Sequence, residues 1–276
     1  MTIYKTKSLI ETYRHKAKSK NINELTGRTG RPDLTAYVIK QIIPKIPINK
    51  DSVLVDIGCG DGLLLKEVTK KGIDGYRGRL IGILPTKEEV SRVRDHLLKA
   101  QTVEMPLISI EFGLAEKTGL PSDYANIVIC NGVLHGAGQS LVNAEASLRE
   151  FERILKVGGM LYIGELPQSN EMSDAIKYTG DSIIGWLLWV FKRQGVRAFG
   201  RRLKQTLVAL FTNEPFLIVP KTMFYMPVND FINLLAQHGF EVKECFKHKE
   251  INQQGKEYDS TTRVNYIAFK TKQTCA

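Results

Sequence analysis

Short, nearly unbroken apolar runs recur through the middle of the chain, each separated from the next by an amphipathic stretch or a glycine turn. Residues 53–57, 80–84, 107–112, 127–130 and 160–164 read as five strands, and residues 63–70, 88–100 and 144–155 as helices between them. Apolar runs without polar alternation belong to strands covered on both faces. Their alternation with helices predicts an α/β, doubly wound, mostly parallel sheet.

Both ends of the chain depart from this rhythm. Residues 1–48 read as helical with an irregular break at 27–32, after which Leu34, Tyr37, Val38, Ile42 and Ile43 approximate one helical face. The alternation stops at 171–228, which read as helices and loops. It resumes with a helix over 228–238, closed by Gly239, and a pair of strands at 240–247 and 263–269. The expected organisation is therefore an N-terminal helical cap (1–48), a core (49–170), a helical insertion after strand five (171–228) and the end of the core (229–276).

Composition narrows the class little, but charge adds something. The formal net charge of the 276 residues is +10. Residues 1–50 hold eleven Lys/Arg against three acids, and residues 182–213 hold six Lys/Arg and no acid. Such patches suit nucleic acid, acidic membrane surfaces or phosphorylated substrates, and equally a basic but otherwise ordinary surface. Cys59, Cys130, Cys245 and Cys275 form no metal-ligand spacing and suggest no disulfide framework, so no metal is expected and a cytoplasmic, reducing location is. The polar start lacks a secretory signal's apolar stretch, and the nine-residue apolar run 183–191 is too short to span a bilayer.

The densest signal is Val55-Asp56-Ile57-Gly58-Cys59-Gly60-Asp61-Gly62, a strand running into a glycine turn and then a helix. Glycines there let the backbone turn tightly and let a ligand approach main-chain N–H groups. A dinucleotide fingerprint needs its third glycine at position 63, which is Leu63. The segment resembles motif I of class I S-adenosylmethionine (SAM)-dependent methyltransferases. The likeness extends over about 50–165 and 228–270 through Asn131-Gly132-Val133-Leu134-His135 and through the helix and Lys156-Val157-Gly158-Gly159 turn before strand five. The resemblance implies a seven-stranded sheet with its last strand antiparallel, and SAM as cofactor. It also implies that Asp56 orders the glycine loop and the cofactor's amino group. Gly58, Cys59 and Gly60 pass under the methionine and ribose, and Asn131 and Gly132 supply backbone near the methionine end. The cofactor is further bordered by Leu84 and Pro85 after strand two and by Leu114 and Ala115 after strand three.

Leu84 and Leu114 stand where the family usually has carboxylates for the ribose hydroxyls and the adenine amino group. Three outcomes stay open: weakened affinity, substitution by groups such as Thr86 or Glu116, or loss of cofactor binding. His135 and Glu165 follow strands four and five at the carboxyl edge, and are the catalytic candidates, His135 as a base or substrate contact and Glu165 to orient an amine or hydroxyl. Tyr13 either closes over the cofactor or packs in the core. The insertion carries both tryptophans and reads as a lid over a hydrophobic acceptor, as a helix at a membrane interface, or as a homodimer surface. The expected function is methyl transfer to O, N or C of a small, hydrophobic or lipid-linked acceptor, with nucleic acid disfavoured. The rival is a degenerate member of the fold that binds a ligand or partner without transferring methyl.

Overall fold

A computed structural model describes residues 9–19, 21–26, 28, 31–70, 76–100, 108–136, 141–168, 183–211, 224–252 and 254–271. Two N-terminal helices, α1 (Leu9–Lys16) and α2 (Pro32–Ile42), precede an alternating run. It comprises β1 (Val53–Ile57), α3 (Leu63–Thr69), β2 (Arg79–Leu84), α4 (Lys87–Ala100), β3 (Ile108–Phe112), β4 (Ala125–Asn131), α5 (Leu141–Ile154) and β5 (Leu155–Pro167). Then come the long helix α6 (Ile183–Phe211), α7 (Val228–Gln237) and the hairpin β6 (Phe240–Ile251) and β7 (Glu257–Lys270). Parts of the expected insertion, 171–182 and 212–223, lie outside the described residues, as do the side chains of Trp186 and Trp189.

The seven strands form one mixed sheet in the order β3-β2-β1-β4-β5-β7-β6. The first five run parallel, and β7 is antiparallel to both of its neighbours. The strand order reverses between β1 and β4, and a ligand cleft forms outside the carboxyl ends of strands at such a reversal. Each face has its own apolar core. On one, α5 and α7 cover the sheet through Leu148, Phe151, Phe231 and Leu235. On the other, α2, α3 and α4 cover it through Val38, Ile42, Leu65 and Val93.

Three local devices set the site. Thr86 begins α4: its hydroxyl accepts from the Glu89 N–H (3.2 Å) and donates to Glu89 Oε2 (2.7 Å), a variant of the Thr-x-x-Glu helix start. The β5–β7 register shifts between Ile163 and Leu166, and inside this bulge Glu165 adopts φ 60°. Bulges re-aim side chains, and a non-glycine residue held in the left-handed region marks a place where surrounding contacts dictate the backbone. At the opposite end of β7 the buried Lys270 ammonium donates to the carbonyls of Glu152 and Leu155 (both 2.8 Å) and to Asp123 (3.0 Å). β6 and β7 are longer than the apolar pattern predicts, because their amino-acid alternation turns polar where the hairpin reaches past the core.

Candidate functional site

The loop after β1 carries positive φ at Gly58 (69°), Gly60 (57°) and Gly62 (77°), so three residues in five occupy backbone conformations that L side chains rarely adopt. A Cβ on Gly58 would come within 2.4 Å of Val133 in the loop after β4, so the two loops interlock only because that atom is missing. At Gly60 a Cβ would instead meet Leu25 and Thr26 of the N-terminal segment at 3.4–3.5 Å. The N-terminal segment therefore lies directly on the glycine loop.

Buried carboxyls gather around this loop. Burial, then the charge of Asp61, pushes Asp56 up to about 8 from 3.8. Asp61 is itself raised by burial, against the Leu63 N–H that donates to it and the charges of His96 and Arg28. Burial raises Glu89 to about 7, opposed by its Thr86 hydrogen bond and by Lys16. All three acids act on the buried Cys59 thiol, whose pKa is raised first by burial and then by Asp56, Asp61 and Glu89. Burial and Glu89 likewise raise Tyr13, and Arg28 lowers it, which places α1 at the same edge.

Further along the same edge, the carboxyl ends of β4, β5 and β6 and the neighbouring part of the antiparallel β7 collect a different set. The buried Glu165 carboxylate accepts from Asn131 Nδ2 (3.0 Å) and from Arg263 (3.3 Å), and pairs with Arg28. His248 stands 4.0 Å away, and the Glu165 N–H donates to Asn265 Oδ1 at 2.9 Å. Burial and the two arginines lower His135 and His248 to about 3, so both imidazoles are neutral at neutral pH. Burial and then Arg263 lower Arg28 itself to about 10. Among the described residues, His135 Nδ1 and Asn131 Oδ1 are buried without a hydrogen-bond partner. The carbonyl of His135 accepts from Phe224 N–H (3.0 Å) and that of Pro167 from Met226 N–H (3.1 Å), tying the chain that returns from α6 to the loops after β4 and β5.

The structure brings Asp56, Gly58, Cys59, Gly60, Asn131, Gly132, His135 and Glu165 to one edge of the sheet, as their sequence positions predict. The expectation that His135 accepts a proton near neutral pH is not supported by its surroundings, which penalise a third positive charge. Leu84 is only 2 % exposed and belongs to the core under α3 and α4. Leu114 and the buried Ala115 lie in the turn after β3, where Leu114 bridges Lys117. Of the two groups expected to replace the missing carboxylates, Thr86 is buried and engaged with Glu89, and Glu116 is exposed. Glu89, buried in the first turn of α4 and bonded to Thr86, is a carboxyl near this edge that sequence reasoning did not single out. Its signal was the Thr86-Lys87-Glu88-Glu89 helix start, which fixes Glu89 at the end of β2. Arg28, Arg263 and His248 were also missed, and no local pattern announces them.

A glycine turn flanked by the buried carboxyls of Asp56 and Asp61 fits a ligand bearing an ammonium and a sulfonium, as the SAM implied by the resemblance does. The comparisons agree with this geometry. Residues 55–163 match the family described as a methyltransferase domain. An uncharacterised methyltransferase of Schizosaccharomyces pombe is 23 % identical over 50 % of this chain and 48 % of its own. An arsenite methyltransferase of Rattus norvegicus is 26 % identical over 49 % of this chain and 38 % of its own. The chain thus spans less than half the length of these two relatives. A SAM-dependent methyltransferase structure from Aquifex aeolicus aligns with a TM-score of 0.56 at 12 % identity, over 92 % of this chain and all of that one. Residues 55–163 thus match a methyltransferase domain, set in a fold shared with solved SAM-dependent methyltransferases.

Proposed function

We propose that the protein is a SAM-dependent methyltransferase acting in a reducing, cytoplasmic setting on a small, apolar or lipid-linked acceptor. The observation that carries this reading is the glycine loop after β1, with positive φ at Gly58, Gly60 and Gly62, interlocked with the loop after β4 where the strand order reverses. SAM bound there supplies an electrophilic methyl on a positively charged sulfur. Asp56 and Asp61 face its ammonium, Gly58, Cys59 and Gly60 give backbone along its length, and Asn131 and Gly132 border the methionine end. Glu89 takes the ribose hydroxyls in place of the carboxylate that Leu84 lacks, with Pro85, Leu114 and Ala115 around the base. The N-terminal residues 1–48 act as a cap, because Leu25 and Thr26 rest on Gly60.

The acceptor lies towards β5 and β7, under a lid drawn from 171–228 whose return at Phe224 and Met226 is anchored to the loops of that edge. His135, neutral and with Nδ1 unpartnered, offers a hydrogen bond that orients the acceptor's heteroatom without storing its proton. Glu165 is a positioning residue: its lone pairs are taken by Asn131, Arg28 and Arg263, so it fixes the two guanidinium groups against the cap and β7. A second reading, a ligand-binding member of the fold without transfer, is favoured by Leu84 and Leu114 alone.

Calorimetry with SAM and S-adenosylhomocysteine tests the first step. Wild type should bind both, and Gly60→Arg, whose Cβ is aimed at Leu25 and Thr26 from a backbone at φ 57°, should push the N-terminal segment off the glycine loop and lose roughly a hundredfold or more in affinity, with circular dichroism checking that the sheet stays folded. Absence of binding at millimolar ligand refutes the reading. Binding without methyl transfer to any of a panel of apolar hydroxyl, amine and lipid acceptors selects the second.

A further inference from the structure

Helix α6 has a use that lies beyond methyl transfer. At Gly195 (φ 81°, ψ 177°) the helix is interrupted, dividing it into 183–194 and 196–211. The first half leans on the protein through the buried Leu187 and Val190, yet presents Ile184 (73 % exposed), Leu188 (53 %) and Phe191 (44 %) to solvent. Their i, i+4, i+7 spacing puts all three on one helical face. The second half is seated through the buried Ala198 and Thr206, and its exposed side carries Arg197, Arg201 and Lys204, again at i, i+4, i+7. One helix thus shows an outward apolar row and then an outward cationic row, with no acid anywhere in 182–213 to neutralise it.

We propose that the two exposed rows of α6, apolar before Gly195 and cationic after it, are a docking surface for an anionic lipid bilayer. The apolar row enters the boundary between headgroups and acyl chains, and the cationic row lies along acidic headgroups, the combination that holds amphipathic helices in an interface. Among the described residues no helix is long and apolar enough to cross a membrane, so this is attachment to the surface. A second copy of the chain suits the face poorly. A two-fold contact would bring two acid-free cationic segments together, and like charges face to face repel. Nucleic acid would use the cationic row but give Ile184, Leu188 and Phe191 nothing to bury against. The proposal does not depend on the methyltransferase reading, since it concerns the outer side of the helix.

Sedimentation with vesicles tests it on the whole protein. Binding to phosphatidylcholine vesicles containing about 30 % phosphatidylserine is expected, with little binding to pure phosphatidylcholine and a fall of roughly tenfold on raising salt from 0.1 to 0.5 M. The triple variant Arg197→Glu, Arg201→Glu, Lys204→Glu should weaken binding by roughly a hundredfold. Ile184→Ser, Leu188→Ser, Phe191→Ser should weaken it about as much at every salt concentration. Circular dichroism and S-adenosylhomocysteine binding serve as folding controls, and the lipid and salt dependence of wild type needs no variant. Equal binding to both vesicle types, or none, overturns the proposal. So does a dimer split by the apolar variant in the absence of vesicle binding, or binding to duplex nucleic acid that only the charge variant abolishes.

Discussion

The two halves of the cleft are built on opposite electrostatic plans. Beside β1 and β2, three buried carboxyls are crowded together with few cations, and the resulting penalty on negative charge appears in Asp56 at about 8 and Glu89 at about 7. Beside β5, β6 and β7, two guanidinium groups share one carboxylate, and the penalty falls on positive charge, with His135 and His248 both at about 3. Arg28 stands between them, paired with Glu165 and felt by Asp61. The first half is under-supplied with cations and suits a cationic ligand. The second is already satisfied, and its charges act as scaffolding. One fold edge thus separates a binding half, left unbalanced, from a positioning half, balanced internally.

The comparison can be broken most directly at Glu165. Glu165→Gln leaves two arginines with no anion between them in a buried site, so a stability loss of about 3 kcal/mol by urea unfolding is expected. Adding Arg28→Met should recover part of it, because one surplus charge goes too. A loss below about 1 kcal/mol, or strict additivity, would mean that the positioning half is not held by this cluster.

Asp56 sharpens the other half. Its folded value lies above the ordinary 3.8, so the folded protein holds the proton longer than the unfolded chain, and this group's contribution turns against folding as pH rises from about 4 to 8. A cationic ligand favours the ionised form. SAM affinity should therefore rise by up to about tenfold per pH unit from pH 6 towards 8 and level off above, with a weaker dependence for S-adenosylhomocysteine, which lacks the sulfonium charge. Asp56→Asn should flatten that profile and be more stable than wild type at pH 9, with little difference at pH 4. A flat wild-type titration, followed by calorimetry, would remove the imbalance on which the binding half is argued. The smallest effect is expected at Glu89: Glu89→Gln keeps a hydrogen-bond acceptor but not its charge, and should cost about tenfold in S-adenosylhomocysteine affinity. Unchanged affinity would return the ribose position to some other group.

What the sequence disclosed follows the same division. The binding half is written in a contiguous stretch, because a strand, a glycine turn and a helix are local, and residues 55–62 therefore announced their own place. Even there Glu89 escaped notice, since it lies past the strand end in the first turn of α4, five residues after Leu84. Leu84 itself faces the core, which alternation along a strand buried on both sides cannot reveal. The positioning half joins Arg28 to residues 131, 165, 248, 263 and 265, and only strand pairing makes them neighbours. The left-handed backbone of Glu165 depends on a register shift against β7, which no run of β5 residues encodes. Charge counting found the basic segment 182–213, but the separation of its apolar and cationic rows needed the helix to be seated.

Strand β7 has a consequence for how the molecule comes into being. It follows β6 in the chain, yet it is slotted inside the sheet between β5 and β6, with Lys270 pinned among Asp123, Glu152 and Leu155 at its far end. During synthesis, earlier segments can organise before later ones emerge. A nascent chain that has made everything up to β6 would already own the glycine loop and its carboxyls, yet lack Arg263 and Asn265. The cluster around Glu165 is therefore completed only when β7 is inserted between β5 and β6, whereas the glycine loop is set by strands earlier in the chain.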